Sequence, residues 1–301
     1  MTRTLVTGAA GFTGRYVAQA LAGQGHEVHG LVHADAELRE SIPGFAQLHL
    51  GNLTDLTAIR RVTAEVQPDH VVHLAAIAFV AHCDVDEMYR VNIVGTRHML
   101  QALSELPTKP VSTLLASSAN VYGNARQGMI DETVPASPAN DYGVSKAAME
   151  FVASIYREIL PLIVVRPFNY TGRGQSPSFI IPKIVEHARR GAKLIELGNL
   201  EVARDFSDVR TVADTYARLL SSPNAVGETF NVCSGRAVTL HEVLDLVSSL
   251  SRHEFEVVVN PAFIRPNEVR KLWGSPERLE RVIGPLNSIP LEDTLRWMLE
   301  S

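Results

Sequence analysis

The chain has 301 residues, with 28 Lys and Arg against 33 Asp and Glu and a formal net charge of −5. With a pI near 6.1 and no basic run, nucleic acid and anionic membrane surfaces are excluded as expected partners. The length suggests ~2 domains, and no apolar run is long enough to span a bilayer. No signal peptide precedes the first predicted strand, so a cytoplasmic location is expected. Cys83 and Cys233 are isolated and the histidines do not cluster as ligands, so neither a disulfide nor a metal site is expected.

The first predicted strand, Thr4-Leu5-Val6, runs directly into Thr7-Gly8-Ala9-Ala10-Gly11-Phe12-Thr13-Gly14. A helix with apolar residues at Tyr16, Val17, Ala20 and Leu21 follows, and the strand Glu27–Val32 completes a βαβ unit. In that context the glycines predict a dinucleotide site. Gly8 permits the tight turn, Gly11 lets backbone amides approach a pyrophosphate, and Gly14 lets the helix pack closely on the strand. The anion then sits at a helix N-terminus.

Further strands are predicted near 47–50, 70–75, 112–117 and 162–166, alternating with helices. This is the pattern of an α/β Rossmann-type, doubly wound parallel sheet. His73, inside the apolar run Val71–Ala76, reads as a satisfied strand residue. Beyond Pro167 the rhythm changes to loops, with helices near 179–190, 239–251 and 290–299. A dinucleotide-binding domain over 1–166, rejoined by a return segment near 203–230, and a smaller interleaved C-terminal substrate-binding lobe over 167–301 are expected. The ligand cleft lies between them.

Two further clusters carry chemistry. The predicted strand 112–117 ends in Ser117-Ser118, at the carboxyl end where an α/β sheet faces its ligand crevice. A serine pair also serves simply to cap a turn; of the two, Ser118 is taken as the catalytic candidate. Tyr142-Gly143-Val144-Ser145-Lys146 opens a helical stretch, and i,i+4 spacing sets Tyr142 and Lys146 on one face.

The loop spacing from Gly8 to Gly11, the Ser118, Tyr142 and Lys146 set, and the segments Arg166–Gln175, Arg204–Val209, Asn231–Gly235 and Arg265–Val269 together resemble the extended short-chain dehydrogenases/reductases, in their nucleotide-sugar branch. The resemblance implies an enzyme in which Ser118, Tyr142 and Lys146 are catalytic, and a cofactor, NADP with NAD possible, held by Gly8, Ala10, Gly11, Phe12, Thr13 and Gly14. His33, Asn52, Leu53, Leu74, Ala75 and Ala76 complete the cofactor site with Tyr142 and Lys146. Asn169, Phe179, Lys183, Arg204, Arg265 and Glu268, with Ser118, become the substrate contacts, the arginines suiting a diphosphate. Two copies are expected to pair through helices near 90–105 and 142–158. Asn92 is either a supporting asparagine or a buried backbone staple. The chain departs from the family at Arg173, where relatives carry proline, which would alter the cover of the substrate or add a phosphate contact. It also reads Gly284-Pro285-Leu286-Asn287 in place of a Gly-Trp-x-Pro.

The residues after Ser118 sort the reactions. Sugar 4,6-dehydratases carry an acid there to serve elimination across C5 and C6, whereas here Ala119 and Asn120 follow. Hydride transfer at C4 remains, as net reduction or as the halves of an epimerisation. The second strand ends Leu31-Val32-His33-Ala34 with Asp35 just beyond, so no acid is expected on the adenosine ribose and His33 becomes a candidate phosphate donor. NADPH-dependent reduction of the C4 keto group of a GDP-4-keto-6-deoxyhexose is the expected activity. The alternatives are an NAD-dependent nucleotide-sugar 4-epimerase, a 4,6-dehydratase, or a sensor that binds NADP and a sugar nucleotide without turnover. In the expected reaction Tyr142 gives the proton, its pKa lowered from about 10 by the Lys146 ammonium.

Overall fold

The computed structural model describes residues 1–39, 41–78, 84–124, 128–263 and 269–300. The chain opens with β1 (Arg3–Thr7), α1 (Phe12–Gly23), β2 (Glu27–Val32), α2 (Asp35–Leu38), β3 (Gln47–Leu50) and α3 (Leu56–Val66). Next come β4 (His70–His73) and α4 (Val85–Tyr89), which passes through a wide π-turn over Arg90–Gly95 into α5 (Thr96–Glu105). β5 (Ser112–Ala116), α6 (Asp141–Ser154) and β6 (Leu162–Pro167) complete this half.

Adjacent residues on each strand point to opposite faces of the sheet. Leu5, Val71, Leu115 and Leu162 pack with α3, α5 and α6 on one side, while their neighbours Val6, Val72, Leu114 and Ile163 pack with α1 on the other. Strands buried on both faces read as continuous apolar runs and belong to a parallel sheet covered by helices. All pairings in this sheet are parallel. The strand order reverses between β1 and β4, and the carboxyl ends beside that reversal form the natural ligand crevice. The fourth strand stops at His73, short of the expected residue 75, because Leu74 and Ala75 give their amides to the Thr7 side chain instead of a ladder.

After β6 the chain forms β7 (Asn169–Thr171), α7 (Ile180–Arg189), β8 (Leu194–Leu197) and β9 (Ala203–Asp208), then α8 (Val209–Leu220), β10 (Thr229–Val232) and β11 (Ala237–Thr239). It continues through α9 (Leu240–Ser251), β12 (Glu256–Val259), β13 (Lys271–Leu272), α10 (Glu277–Ile283) and α11 (Leu291–Leu299). β9 pairs with β7, β11 and β13, and β8 pairs with β12. The return to the first sheet therefore begins at α8, later than the residue 203 expected from sequence. α8 buries Val212, Ala213 and Tyr216 against the same face as α1, and β10 joins β6 as the seventh strand. A separate core of Ile181, Ile184, Phe206, Val243 and Leu295 ties α7, α9 and α11 together. Among the described residues no helix is long and apolar enough to cross a membrane.

Candidate active site

One cleft of about 1770 Å³ runs from the Gly8 loop, past the carboxyl ends of β1 to β6, to α7 and Phe263. Its first wall is the glycine turn. Gly8 sits at φ +68°, and a Cβ on Gly14 would stand 2.3 Å from the Gly8 carbonyl oxygen. Both positions therefore demand glycine, one for backbone conformation and one for close approach. α1 starts with no side-chain cap on its first amides, which leaves those donors for an anion. Ala10, Gly11, Phe12 and Thr13 face the cleft, so the cradle fits a dinucleotide pyrophosphate.

The floor beside it is a directed chain of hydrogen bonds. Thr7 Oγ1 accepts from the amides of Leu74 (3.1 Å) and Ala75 (3.0 Å) and lies 2.9 Å from His73 Nδ1. His73 Nε2 is 2.9 Å from Thr96 Oγ1, which donates to the Asn92 carbonyl at 2.7 Å. Since Thr96 spends its proton on Asn92, His73 Nε2 must be the donor and Nδ1 the acceptor of the Thr7 hydroxyl proton. Burial first, and then the Lys146 charge, holds this imidazole neutral, its pKa pushed down to about 3. Asn92 in turn staples Ile77, accepting its amide at 2.8 Å and donating to its carbonyl at 3.1 Å, and donates to Ser145 Oγ at 3.0 Å. His73 is thus the satisfied strand residue expected, and Asn92 is a backbone staple that also touches the Tyr142 helix. Leu74, Ala75 and Ala76 present this strand end to the cleft.

Ser118, Tyr142 and Lys146 converge on the same cleft. Asn140 caps α6 by accepting the Gly143 amide at 2.8 Å, which fixes the turn that carries Tyr142. Ser118 Oγ accepts from the Asn120 amide and from Asn120 Nδ2, both at 3.1 Å, and hydrogen-bonds the Tyr142 phenol. Ser117 turns the other way and donates to Glu150 Oε1, so the two hydroxyls have different partners. Lys146 Nζ donates to the Ala116 carbonyl at 2.8 Å, and burial lowers its pKa to about 8 against the opposing pull of Glu150. The Tyr142 pKa does not fall as expected. Burial raises it, Tyr170 adds to the rise, and the Ser118 bond offsets only part. The Lys146 ammonium is held at Ala116, 6.0 Å from the phenol ring centroid. Tyr142 is therefore kept as the neutral acid.

Beside the carboxyl ends of β2 and β3 the cleft is lined by His33, Glu37, Asn52 and Leu53. Asn52 Oδ1 accepts the Thr54 amide and hydroxyl, each at 2.9 Å. The acid that lines the cleft here is Glu37, not Asp35 at the strand end. Its signal was present three residues after Ala34, where a Glu side chain reaches back to amides at a helix start. Tyr170 was also missed as a site residue. It stacks on Phe12 with centroids 6.1 Å apart, and its hydroxyl lies 2.8 Å from Thr13 Oγ1.

Of the substrate set, Asn169, Phe179, Lys183 and Arg204 all line the far half of the cleft. Lys183 Nζ donates to the Glu196 carbonyl at 2.6 Å and lies over the Phe263 ring at 4.6 Å. Arg204 donates to the carbonyls of Ala203 (3.0 Å) and Arg270 (3.2 Å). Arg265 and Glu268 lie outside the described residues. Arg173 is not among the residues that line the cleft: its Nε donates to the Trp297 carbonyl at 2.5 Å and its guanidinium lies over the Trp297 ring at 4.9 Å, which pins α11. The divergent Gly284–Asn287 turn is held by α8, where Thr211 Oγ1 donates to the Asn287 carbonyl at 3.0 Å and Arg218 Nη1 to that of Pro285 at 3.1 Å.

Residues 5–298 match the sequence profile of the GDP-mannose 4,6 dehydratase family. A GDP-6-deoxy-D-talose 4-dehydrogenase from Aggregatibacter actinomycetemcomitans is 32% identical, with 94% of this chain and 91% of the relative aligned. A GDP-6-deoxy-D-mannose reductase from Pseudomonas aeruginosa is 33% identical over 99% of this chain and 96% of the relative. Among solved structures, a candidate epimerase from Burkholderia cenocepacia J2315 superposes with a TM-score of 0.93 at 48% identity, covering 99% of this chain and 97% of that one. RMD from Pseudomonas aeruginosa complexed with NADPH gives a TM-score of 0.82 at 31% identity, covering 100% and 97%.

Proposed function

The chain belongs to the GDP-mannose 4,6 dehydratase family, and from that premise we propose that it reduces the C4 keto group of a GDP-4-keto-6-deoxyhexose. One observation carries the choice of reaction. The cleft holds a Ser118, Tyr142 and Lys146 set in which the positions after Ser118 are Ala119 and Asn120, and Asn120 is spent as a hydrogen-bond donor to Ser118. No carboxylate at those positions can serve an elimination across C5 and C6, so the dehydratase activity that names the family is disfavoured.

A reduced nicotinamide dinucleotide, NADPH or NADH, supplies the hydride when bound in the cleft. Tyr142 then acts as general acid: the C4 carbonyl oxygen gains the phenol proton as the carbon gains hydride, leaving an alcohol and a phenolate that solvent reprotonates. Burial keeps that proton on Tyr142 at neutral pH, the state that a reductase requires at the start of each turnover. Ser118, already bonded to the phenol, orients the carbonyl oxygen. Lys146, whose ammonium is held at the Ala116 carbonyl, would bind the coenzyme ribose and offset the charge of the phenolate. Phe179, Lys183, Arg204 and Asn169 receive the nucleoside diphosphate.

The two curated relatives carry names of sugars that differ in configuration at C4, so both 6-deoxymannose and 6-deoxytalose products fit this reading. The test is incubation of the protein with reduced coenzyme and GDP-4-keto-6-deoxymannose, following absorbance at 340 nm and resolving the product by NMR. Stoichiometric coenzyme oxidation with one C4 epimer formed supports the reading. Interconversion of C4 epimers with catalytic NAD and no net oxidation would replace it with a 4-epimerase, and binding without turnover with a sensor. The protein is proposed to work as a homodimer through the exposed apolar face of α6.

A further inference from the structure

We infer that Glu37 sets the coenzyme preference of this cleft, favouring NADH over NADPH. The inference rests on the dinucleotide reading of the glycine turn and concerns its adenosine end. Dinucleotide sites distinguish the two coenzymes at the ribose 2′ position, where a carboxylate accepts hydrogen bonds from the free diol and a cation accommodates the 2′-phosphate. Glu37 stands just past the carboxyl end of β2 and lines the cleft with His33. Its Oε2 accepts the amides of His33 at 3.1 Å and Ala34 at 3.2 Å, and lies 3.2 Å from His33 Nδ1.

Three consequences follow from that geometry. The carboxylate is fixed through one oxygen, which leaves Oε1 with its acceptor capacity for a ribose diol. The two amides that would otherwise donate to a phosphate are already taken. The imidazole of His33, the candidate phosphate donor in the sequence, is paired with the same carboxylate. Among the described residues lining this end, from Leu31 to Glu37 and from Gly51 to Thr54, there is no Lys or Arg to offset the charge. A 2′-phosphate, close to dianionic at neutral pH, would meet a carboxylate with no guanidinium among these described lining residues.

The test is direct coenzyme binding by the full-length protein, read as fluorescence of NADH and NADPH in the absence of any sugar nucleotide. The wild type is expected to bind NADH about tenfold or more tightly than NADPH. Glu37→Gln keeps an amide oxygen to accept the His33 and Ala34 amides but removes the charge, so it should close most of that gap by strengthening NADPH binding. A wild type that binds NADPH as tightly as NADH, or a Glu37→Gln protein of unchanged Tm with an unaltered ratio, overturns the assignment. Binding of neither coenzyme overturns the dinucleotide reading as well, whereas a clear NADH preference without reduction of any GDP-sugar leaves Glu37 standing and refutes only the proposed substrate.

Discussion

Glu150 on α6 and Arg166 at the end of β6 form a two-pronged ion pair, with Nε to Oε1 at 2.9 Å and Nη2 to Oε2 at 2.6 Å. Arg166 also donates to the Tyr122 hydroxyl at 2.9 Å, Tyr122 donates to Asn231 Oδ1 at 2.7 Å, and Ser117 leans on Glu150 from β5's end. The pair thus joins the Tyr142 helix to β6 and β10 beneath the cleft. Both side chains are largely shielded, so removal of one charge leaves the other without its counterion at a cost of about 3 kcal/mol, the low end of the range for buried pairs.

Glu150→Ala is accordingly expected to lower unfolding stability by roughly 3 kcal/mol, measured by urea denaturation at pH 7. Replacing Glu150 and Arg166 together with apolar residues should recover much of that loss. Equal destabilisation by the single and double variants would show that the pair's charges are not what Glu150 contributes.

Tyr142→Phe removes the proton donor and nothing else in the cleft wall. Turnover should fall by about 10²- to 10⁴-fold, with coenzyme Kd changed little. The pH dependence of the wild type follows from Lys146, whose pKa burial depresses from 10.5 to about 8. Its ammonium is present below that value and lost above it, so kcat/KM should decline as pH rises through about 8. Stability moves in the opposite sense, because between about 8 and 10.5 the unfolded chain holds a lysine proton that the native state has released. Stability from this group therefore rises with pH across that window. A flat activity profile from pH 7 to 9 would remove Lys146 from its role.

Phe151 on α6 and Ile155, which caps the C-terminus of that helix one turn on, are each 72% exposed, with Val144 and Ile159 also exposed along the same segment. Contiguous apolar surface of this kind marks an interaction face. Phe151→Asp should convert a dimer to a monomer in sedimentation experiments without loss of fold. A wild type that sediments as a monomer at micromolar concentration would refute the proposed pairing.

The first half of the fold was legible because its strands are buried on both faces, so each appears as an apolar run punctuated by turn residues. The second half was less so. β7 and β13 are short, β9 carries Arg204, Asp205, Ser207 and Asp208 in place of an apolar run, and their partners are distant in the chain, as with Ala203 and Lys271. In the cleft, Ser118, Tyr142 and Lys146 were readable from spacing and from the family resemblance. Glu37 is legible only as a helix-start residue three places after Ala34; that its carboxylate lies at the end of β2 depends on the backbone turn at His33 and Ala34. The direction of the Tyr142 pKa lies beyond the sequence for a similar reason: residue types disclose a neighbouring lysine, but not that burial outweighs it or that the ammonium is engaged by Ala116.

The substrate assignment stands or falls on the far half of the cleft. Phe179, Lys183, Glu186 and His187 lie at i, i+4, i+7 and i+8 on one side of the α7 segment, and all four line the cleft, as Arg204 does. Lys183 is held over Phe263 and against the Glu196 carbonyl, a position from which its ammonium can meet a diphosphate without touching the hydride-transfer centre. Charge-assisted hydrogen bonds contribute roughly 1.5–3 kcal/mol each, so Lys183→Met should raise the GDP-sugar KM by about 10- to 100-fold. Because the lost contact is made equally in ground and transition states, kcat should change little. Coenzyme Kd should not move. Arg204→Ala is expected to act in the same direction, and wild-type protein should use a GDP-4-keto sugar ahead of its dTDP counterpart. If Lys183→Met lowers kcat and leaves KM intact, the diphosphate does not lie on α7. If the dTDP sugar is the better substrate, C4 reduction survives as the reaction but the guanine nucleotide does not.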